Sequence, residues 1–137
     1  MNRRYYWLIA AFVWCIAIFI ATASPSSTGG NTQSILQKIF HLSPSEAEIW
    51  NVVFRKGVHL SAFGLLAILF YNGLQRKRFL FAWLFTTFYA ATDEFHQLFV
   101  PNRTGAVLDV GLDSLGAIIA LVGMKLFLMK KEKRGER

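Results

Sequence analysis

Polar residues in three short segments stand inside or beside apolar runs long enough to cross a membrane. These residues are Lys56 and His59, then Asp93, Glu94, His96 and Gln97, then Arg103, Asp109 and Asp113. Such side chains could hold phosphate oxygens, transfer protons or ligate a metal ion. An ionisable group at membrane depth costs roughly 2.5 to 3.5 kcal/mol even on lenient insertion scales, and it usually faces a bundle interior or a wet cavity. The three segments are therefore the candidate site.

One interpretation of these residues is hydrolysis or transfer at a phosphate-bearing lipid. Lys56 and Arg103 would hold phosphate oxygens, and the planar guanidinium of Arg103 would do so with two parallel hydrogen bonds. His59 or Asp93 would act as general acid or base, with Glu94 as a further catalytic carboxylate. The carboxylates and a histidine could also ligate a divalent ion. The spacing matches no recognised metal motif, so the sequence itself predicts no cofactor and no metal.

A second interpretation is binding without catalysis. An anionic lipid or a lipid-linked cell-wall precursor would be bound or shielded at the outer face, and the ligand-binding residues would be Lys56, Gln97, Arg103, Asp109 and Asp113. In a third interpretation the charged residues only pair with one another to fix the helices. The residues leave all three open, and binding is the working prediction.

The composition indicates which elements must position these side chains. Hydrophobic residues make up 54% of the 137 residues, and thirteen are Phe, which is typical of a membrane protein. About four spans of ~20 residues each would use most of the chain. We predict a single all-α membrane domain over residues 1–137, a left-handed four-span transmembrane helix bundle with a short amphipathic extracytoplasmic helix. The one cysteine, Cys15, excludes a disulfide framework within the chain.

Apolar runs and turn signals give the expected boundaries. The first span covers about 5–23, the short helix 32–41, the second span extends through 60–74, the third begins at Phe79, and the fourth covers 106–129. The pattern Ala21-Thr22-Ala23 resembles a signal-peptidase site, so cleavage is an alternative, but we predict that the first segment is retained. A cap near Ser45 would start the helix that carries Lys56 and His59. Gly111, Gly116 and Gly123 are expected to allow close helix packing.

The basic residues predict the orientation. With the amino terminus inside, most Lys and Arg residues, including the tail after Met129, fall on the cytoplasmic side, as they do in short-looped membrane proteins. The net charge of +7 then reflects topology and attraction to anionic lipid rather than binding of nucleic acid. We predict a multi-pass protein of the cell membrane with both termini cytoplasmic.

This topology brings the three polar segments to one level near the outer surface. At about 100° per residue, Lys56 and His59 share a helix face, and Asp109 and Asp113 lie one turn apart. Glu94 is about 100° from Asp93 on its helix, so it would face a neighbouring helix end or the headgroup layer. We therefore expect an outward-opening polar pocket among the second, third and fourth spans, with the first span as a buttress.

Several of these residues resemble the VanZ-like family of small bacterial membrane proteins. The resemblance rests on Lys56 and His59 with Phe63, on Asp93-Glu94-x-x-Gln97, on Pro101-x-Arg103, and on Asp109 with Gly116, over about residues 50–125. The chain departs from the family pattern at Asn102, where Gly is common, and at Asp113, where Asn is common. The family is named for a member linked to teicoplanin resistance. The resemblance implies an integral membrane protein of the bacterial envelope and carries no family-wide reaction.

Overall fold

The computed structural model describes residues 2–23, 29–100 and 106–135, which form five α-helices and no strand. The helices are α1 (Arg3–Ala23), α2 (Gly29–Phe40), α3 (Pro44–Gly73), α4 (Arg78–Gln97) and α5 (Val107–Lys133). The all-α prediction is confirmed, and α2 is the short helix expected between the first two spans.

Three of the described helices, α1, α3 and α5, are long and apolar enough to cross a membrane. The prediction of four such spans is therefore wrong. The remaining long helix, α4, has 20 residues and would rise about 30 Å, but its final turns carry Asp93, Glu94, His96 and Gln97. These polar residues lower its hydropathy, although its length matches that of a span.

A capping box fixes the start of α3. The Ser43 side chain accepts a hydrogen bond from the Glu46 backbone N–H, and the Glu46 carboxylate accepts one from the Ser43 backbone N–H at 2.9 Å. Both bonds satisfy amides that the first helical turn leaves free. The cap therefore lies at Ser43, slightly before the expected Ser45. From there α3 continues unbroken past Lys56 and His59 to Gly73, as the sequence predicted.

Glycine allows a close approach between α3 and α5. A Cβ atom added at Gly116 would lie 2.6 Å from the Leu60 carbonyl oxygen, and one added at Gly64 would lie 3.3 Å from the Gly116 carbonyl oxygen. Of the three glycines expected to permit close packing, Gly116 does so. Gly111 and Gly123 have open space around them, so neither is needed for close packing.

The first helix, α1, packs on α3 and α4. The Trp14 indole N–H donates to the Ala62 carbonyl oxygen at 3.0 Å, and the Tyr89 hydroxyl donates to the Cys15 carbonyl oxygen. The outer surface of the bundle remains apolar, since Phe88 on α4 is 72% exposed and Phe127 on α5 is 63% exposed. A continuous apolar exterior of this kind suits contact with lipid.

Candidate functional site

Two polar contacts join α3 to α5 near one end of the bundle. Lys56 Nζ lies 2.9 Å from Asp109 Oδ1, and His59 Nδ1 lies 3.4 Å from Asp113 Oδ2. Lys56 and His59 are three residues apart on α3, and Asp109 and Asp113 are four apart on α5. Each spacing keeps both side chains on a single helix face, so the two faces can meet. The structure therefore brings together the predicted residues of the second and fourth spans.

The two contacts differ in their access to solvent. The side chains of Lys56 and Asp109 are 50% and 33% exposed, whereas those of His59 and Asp113 are 20% and 1% exposed. The first pair lies at the rim, where water screens the charges. The second lies one turn deeper, and its 3.4 Å separation exceeds the usual 2.7 to 3.2 Å of an N–H···O hydrogen bond.

The last turns of α4 add two buried carboxylates. Asp93 accepts hydrogen bonds from the Gln97 side-chain amide at 2.9 Å and from the Thr22 hydroxyl at 2.6 Å. Glu94 accepts one from the backbone N–H of Ala106 at 3.0 Å, immediately before α5 begins. Glu94 was predicted to face either a neighbouring helix end or the headgroup layer. The structure shows it at the neighbouring helix end.

Glu94 also completes a compact group with the deeper pair. One donor atom each from His59, Glu94 and Asp113 lies within 4.8 Å of the others, and we call these three residues the inner cluster. Glu94 and Asp113 are buried, and His59 is partly exposed. The inner cluster joins α3, α4 and α5 and contains two of the residues predicted to be catalytic.

Two other predicted residues lie elsewhere or outside the described structure. His96 packs against the ring of Phe19, with ring centroids 4.3 Å apart, and its Nδ1 is buried without a hydrogen-bond partner among residues 2–23, 29–100 and 106–135. Arg103, predicted to bind phosphate oxygens, lies outside the described residues. Its position relative to the inner cluster therefore stays a prediction.

A cavity of about 190 Å³ lies beside the inner cluster, between α1, α2 and α3. Its walls include Ile18 and Thr22 from α1, Thr32 from α2, and Phe54, Arg55 and His59 from α3. A shallower groove shares Phe54 with this cavity and extends to Trp14 and Leu65. His59 thus lines the cavity and lies near the carboxylates of Glu94 and Asp113.

Sequence reasoning missed two residues of this region, Arg55 and Thr22. Arg55 precedes His59 by one helical turn on α3, and that spacing was a usable signal. Thr22 carried none, because a threonine at the end of an apolar run is common in membrane helices and its contact with Asp93 depends on how α1 packs against α4.

Comparison with known proteins adds a family relationship. A family model described as VanZ/LLP1 matches residues 7–128. No curated protein and no solved structure matches the chain. The matched region begins within α1 and reaches into α5, so it includes the inner cluster, Thr22 and Arg55. It also begins well before the segment 50–125 on which the sequence resemblance rests.

Proposed function

This chain belongs to the VanZ/LLP1 family, and from that premise we propose that it is a multi-pass envelope protein that binds an anionic lipid or a lipid-linked cell-wall precursor at its outer face. The apolar part of the ligand occupies the cavity between α1, α2 and α3. Its anionic head group lies against Arg55 and the polar end of the bundle.

The observation that carries this proposal is the composition of the cavity wall. Ile18, Phe54 and Phe63 offer apolar surface to a hydrocarbon chain, while Arg55 and His59 offer polar contacts on one side. A guanidinium is well suited to a phosphate because it presents parallel N–H donors to two oxygens. The groove towards Trp14 and Leu65 provides room for a longer chain.

The proposed orientation rests on the basic residues, and with both termini cytoplasmic it requires α4 to cross the membrane as well as α1, α3 and α5. Placing Arg3, Arg4 and the C-terminal lysines on the cytoplasmic side puts the C-terminal end of α1, and with it the inner cluster, at the outer face. A lipid-linked precursor of the cell wall is exposed at that face. Binding or shielding it there would alter susceptibility to glycopeptide antibiotics such as teicoplanin.

A second candidate function is hydrolysis or transfer at the phosphate of such a lipid. Its support is the position of His59, which lines the cavity and has the Asp113 carboxylate 3.4 Å from its Nδ1 atom. A carboxylate in that position orients an imidazole for proton transfer. Asp93 is less suited to the acid–base role, because Thr22 and Gln97 already occupy its two oxygens.

A purely structural role accounts for some of the contacts. The Lys56–Asp109 pair and the hydrogen bonds to Asp93 hold the helices together. They do not explain why Arg55 lines the cavity, since no ion pair involves Arg55 among the described residues. A guanidinium with no ion pair in the described parts of the chain is the feature that favours a ligand over simple pairing.

Native mass spectrometry of the detergent-solubilised protein with added polyprenyl phosphate tests the proposal. The unaltered protein should retain one polyprenyl phosphate per chain. The amount retained by Arg55→Gln should be lower by a factor of more than about five. Arg76→Gln, in the exposed turn at the other end of α3, is the matched control and should bind normally. Phosphatidylcholine should not be retained.

Equal retention by Arg55→Gln and the unaltered protein, or equal retention of phosphatidylcholine, would contradict the proposal. Incubation followed by measurement of free phosphate separates the two candidate functions. Phosphate release that depends on His59 would establish hydrolysis, whereas retention of the intact lipid would establish binding.

A further inference from the structure

Three buried carboxylates lie close together at the polar end of the bundle. Asp93, Glu94 and Asp113 are each at most 5% exposed. Among the described residues no Lys or Arg forms an ion pair with any of them, since Lys56 pairs with Asp109. Burying uncompensated charge costs several kcal/mol per ion. A bound positive charge would therefore compensate these carboxylates.

Asp113 has the least compensation. It is 1% exposed, and its Oδ1 atom is buried with no hydrogen-bond partner in the described parts of the chain. Its other oxygen, Oδ2, has only His59 Nδ1 near it, at 3.4 Å, in the same parts of the chain. By contrast, both oxygens of Asp93 accept hydrogen bonds. A buried carboxylate with a free oxygen is suited to a ligand that the protein itself does not supply.

The spacing of the inner cluster suits a metal ion. Ligand atoms bound to one tetrahedral ion by bonds of about 2.1 Å lie about 3.4 Å apart. His59 Nδ1 and Asp113 Oδ2 have that separation, and the donor set with Glu94 lies within 4.8 Å. Small side-chain rotations would bring the third donor to bonding distance.

We propose that His59, Glu94 and Asp113 bind one divalent transition-metal ion, with Zn²⁺ and Mn²⁺ as the fitting classes. A neutral imidazole with two carboxylates balances a charge of +2, and mixed nitrogen and oxygen ligands suit these ions. Three protein ligands leave a coordination position open, as in catalytic rather than closed structural sites. This proposal goes beyond lipid binding and does not depend on it.

The environment of Glu94 supports the same assignment. Its Oε2 accepts a hydrogen bond from the Ala106 backbone N–H, and outer hydrogen bonds of this kind orient carboxylate ligands. The contact also fixes the start of α5 relative to the end of α4. Asp113 lies in the second turn of α5, so the bond holds the start of the helix that carries Asp113 beside Glu94.

Calorimetric titration of metal-free, detergent-solubilised protein with Zn²⁺, in the absence of added lipid, tests the proposal. The unaltered protein should bind one ion per chain. His59→Asn and Asp113→Asn should each weaken binding more than about tenfold. The matched controls are His41→Asn and Glu48→Gln, which alter an exposed histidine and an exposed carboxylate. Asn also tolerates the positive φ of 52° at position 41.

Pulsed electron paramagnetic resonance of bound Mn²⁺ gives a second measurement on the unaltered fold. The spectrum should show one histidine nitrogen bonded directly to Mn²⁺. The His41→Asn variant should give the same signal. Three results would each overturn the proposal. They are a titration that shows no saturable site, equal Zn²⁺ affinity in all four variants, and a Mn²⁺ spectrum without nitrogen coupling. Because no lipid is present, this result is independent of polyprenyl phosphate binding.

Discussion

Thr22 Oγ1 and Asp93 Oδ1 lie 2.6 Å apart, although 71 residues separate them in the chain. Both side chains are buried, and the contact ties the end of α1 to the polar end of α4. The first helix is therefore part of the site, because it supplies a hydrogen-bond donor to Asp93.

Replacing Thr22 by Val should remove this donor while keeping the side-chain shape. We expect a loss of about 1 to 2 kcal/mol in the free energy of unfolding, since the bond is to a buried carboxylate within a helix bundle. Unfolding by SDS in mixed micelles measures it. Thr92→Val is the control, because the exposed Thr92 hydroxyl donates to the Tyr89 carbonyl oxygen of its own helix. Equal losses in the two variants would contradict the prediction.

Gly116→Ala should separate α3 from α5. The added Cβ would meet the Leu60 carbonyl oxygen at 2.6 Å, and backbone cannot move aside as a flexible side chain can. We expect a loss of about 1 to 3 kcal/mol in stability, measured by the same SDS unfolding. Gly123→Ala, on the same helix with open space around it, should lie within about 0.5 kcal/mol of the unaltered protein. A tolerated Gly116→Ala would show that the two helices are less tightly packed.

The rim pair should contribute little to stability. Because Lys56 and Asp109 are 50% and 33% exposed, we expect a coupling energy below about 1 kcal/mol. A double-mutant cycle with Lys56→Gln and Asp109→Asn measures that energy, and added salt should reduce it further. A coupling above about 2 kcal/mol would show that the pair is shielded from water.

Cysteine labelling of intact cells tests the orientation. In a Cys15→Ser background, a membrane-impermeant maleimide should label Glu48→Cys and leave Lys77→Cys and Lys131→Cys unlabelled until the cells are opened. Labelling of Lys131→Cys in intact cells would place the C-terminus outside. With the amino terminus inside, three crossings by α1, α3 and α5 would put the C-terminus outside, and one further crossing would return it to the cytoplasm. The experiment therefore also shows whether a further segment crosses.

Helical periodicity predicted the polar faces of α3 and α5. Spacings of three and four residues define one face on any helix, so Lys56 and His59 were predicted to share a face, as were Asp109 and Asp113, but the individual pairs between the helices were not predicted. The same reasoning gave the helix boundaries, since long apolar runs and a capping signal depend on local sequence.

Features that depend on neighbouring helices could not be predicted in this way. Glu94 lies on a different face of α4 from Asp93, yet both are buried, because α4 packs against α1, α3 and α5. The contact of Thr22 and the open surroundings of Gly111 likewise depend on which helix lies alongside. The predicted count of four apolar spans failed at α4, whose length matches a span but whose polar last turns lower its hydropathy.

Glu94 depends on a partner that lies beyond its own helix. The Ala106 backbone amide that donates to its carboxylate stands immediately before α5, so the bond forms only when the start of α5 lies beside the end of α4. Asp93, by contrast, has its donors on α1 and α4. A chain truncated before α5 would therefore keep the donors of Asp93 and lose the Ala106 donor to Glu94, and an uncompensated buried carboxylate is costly.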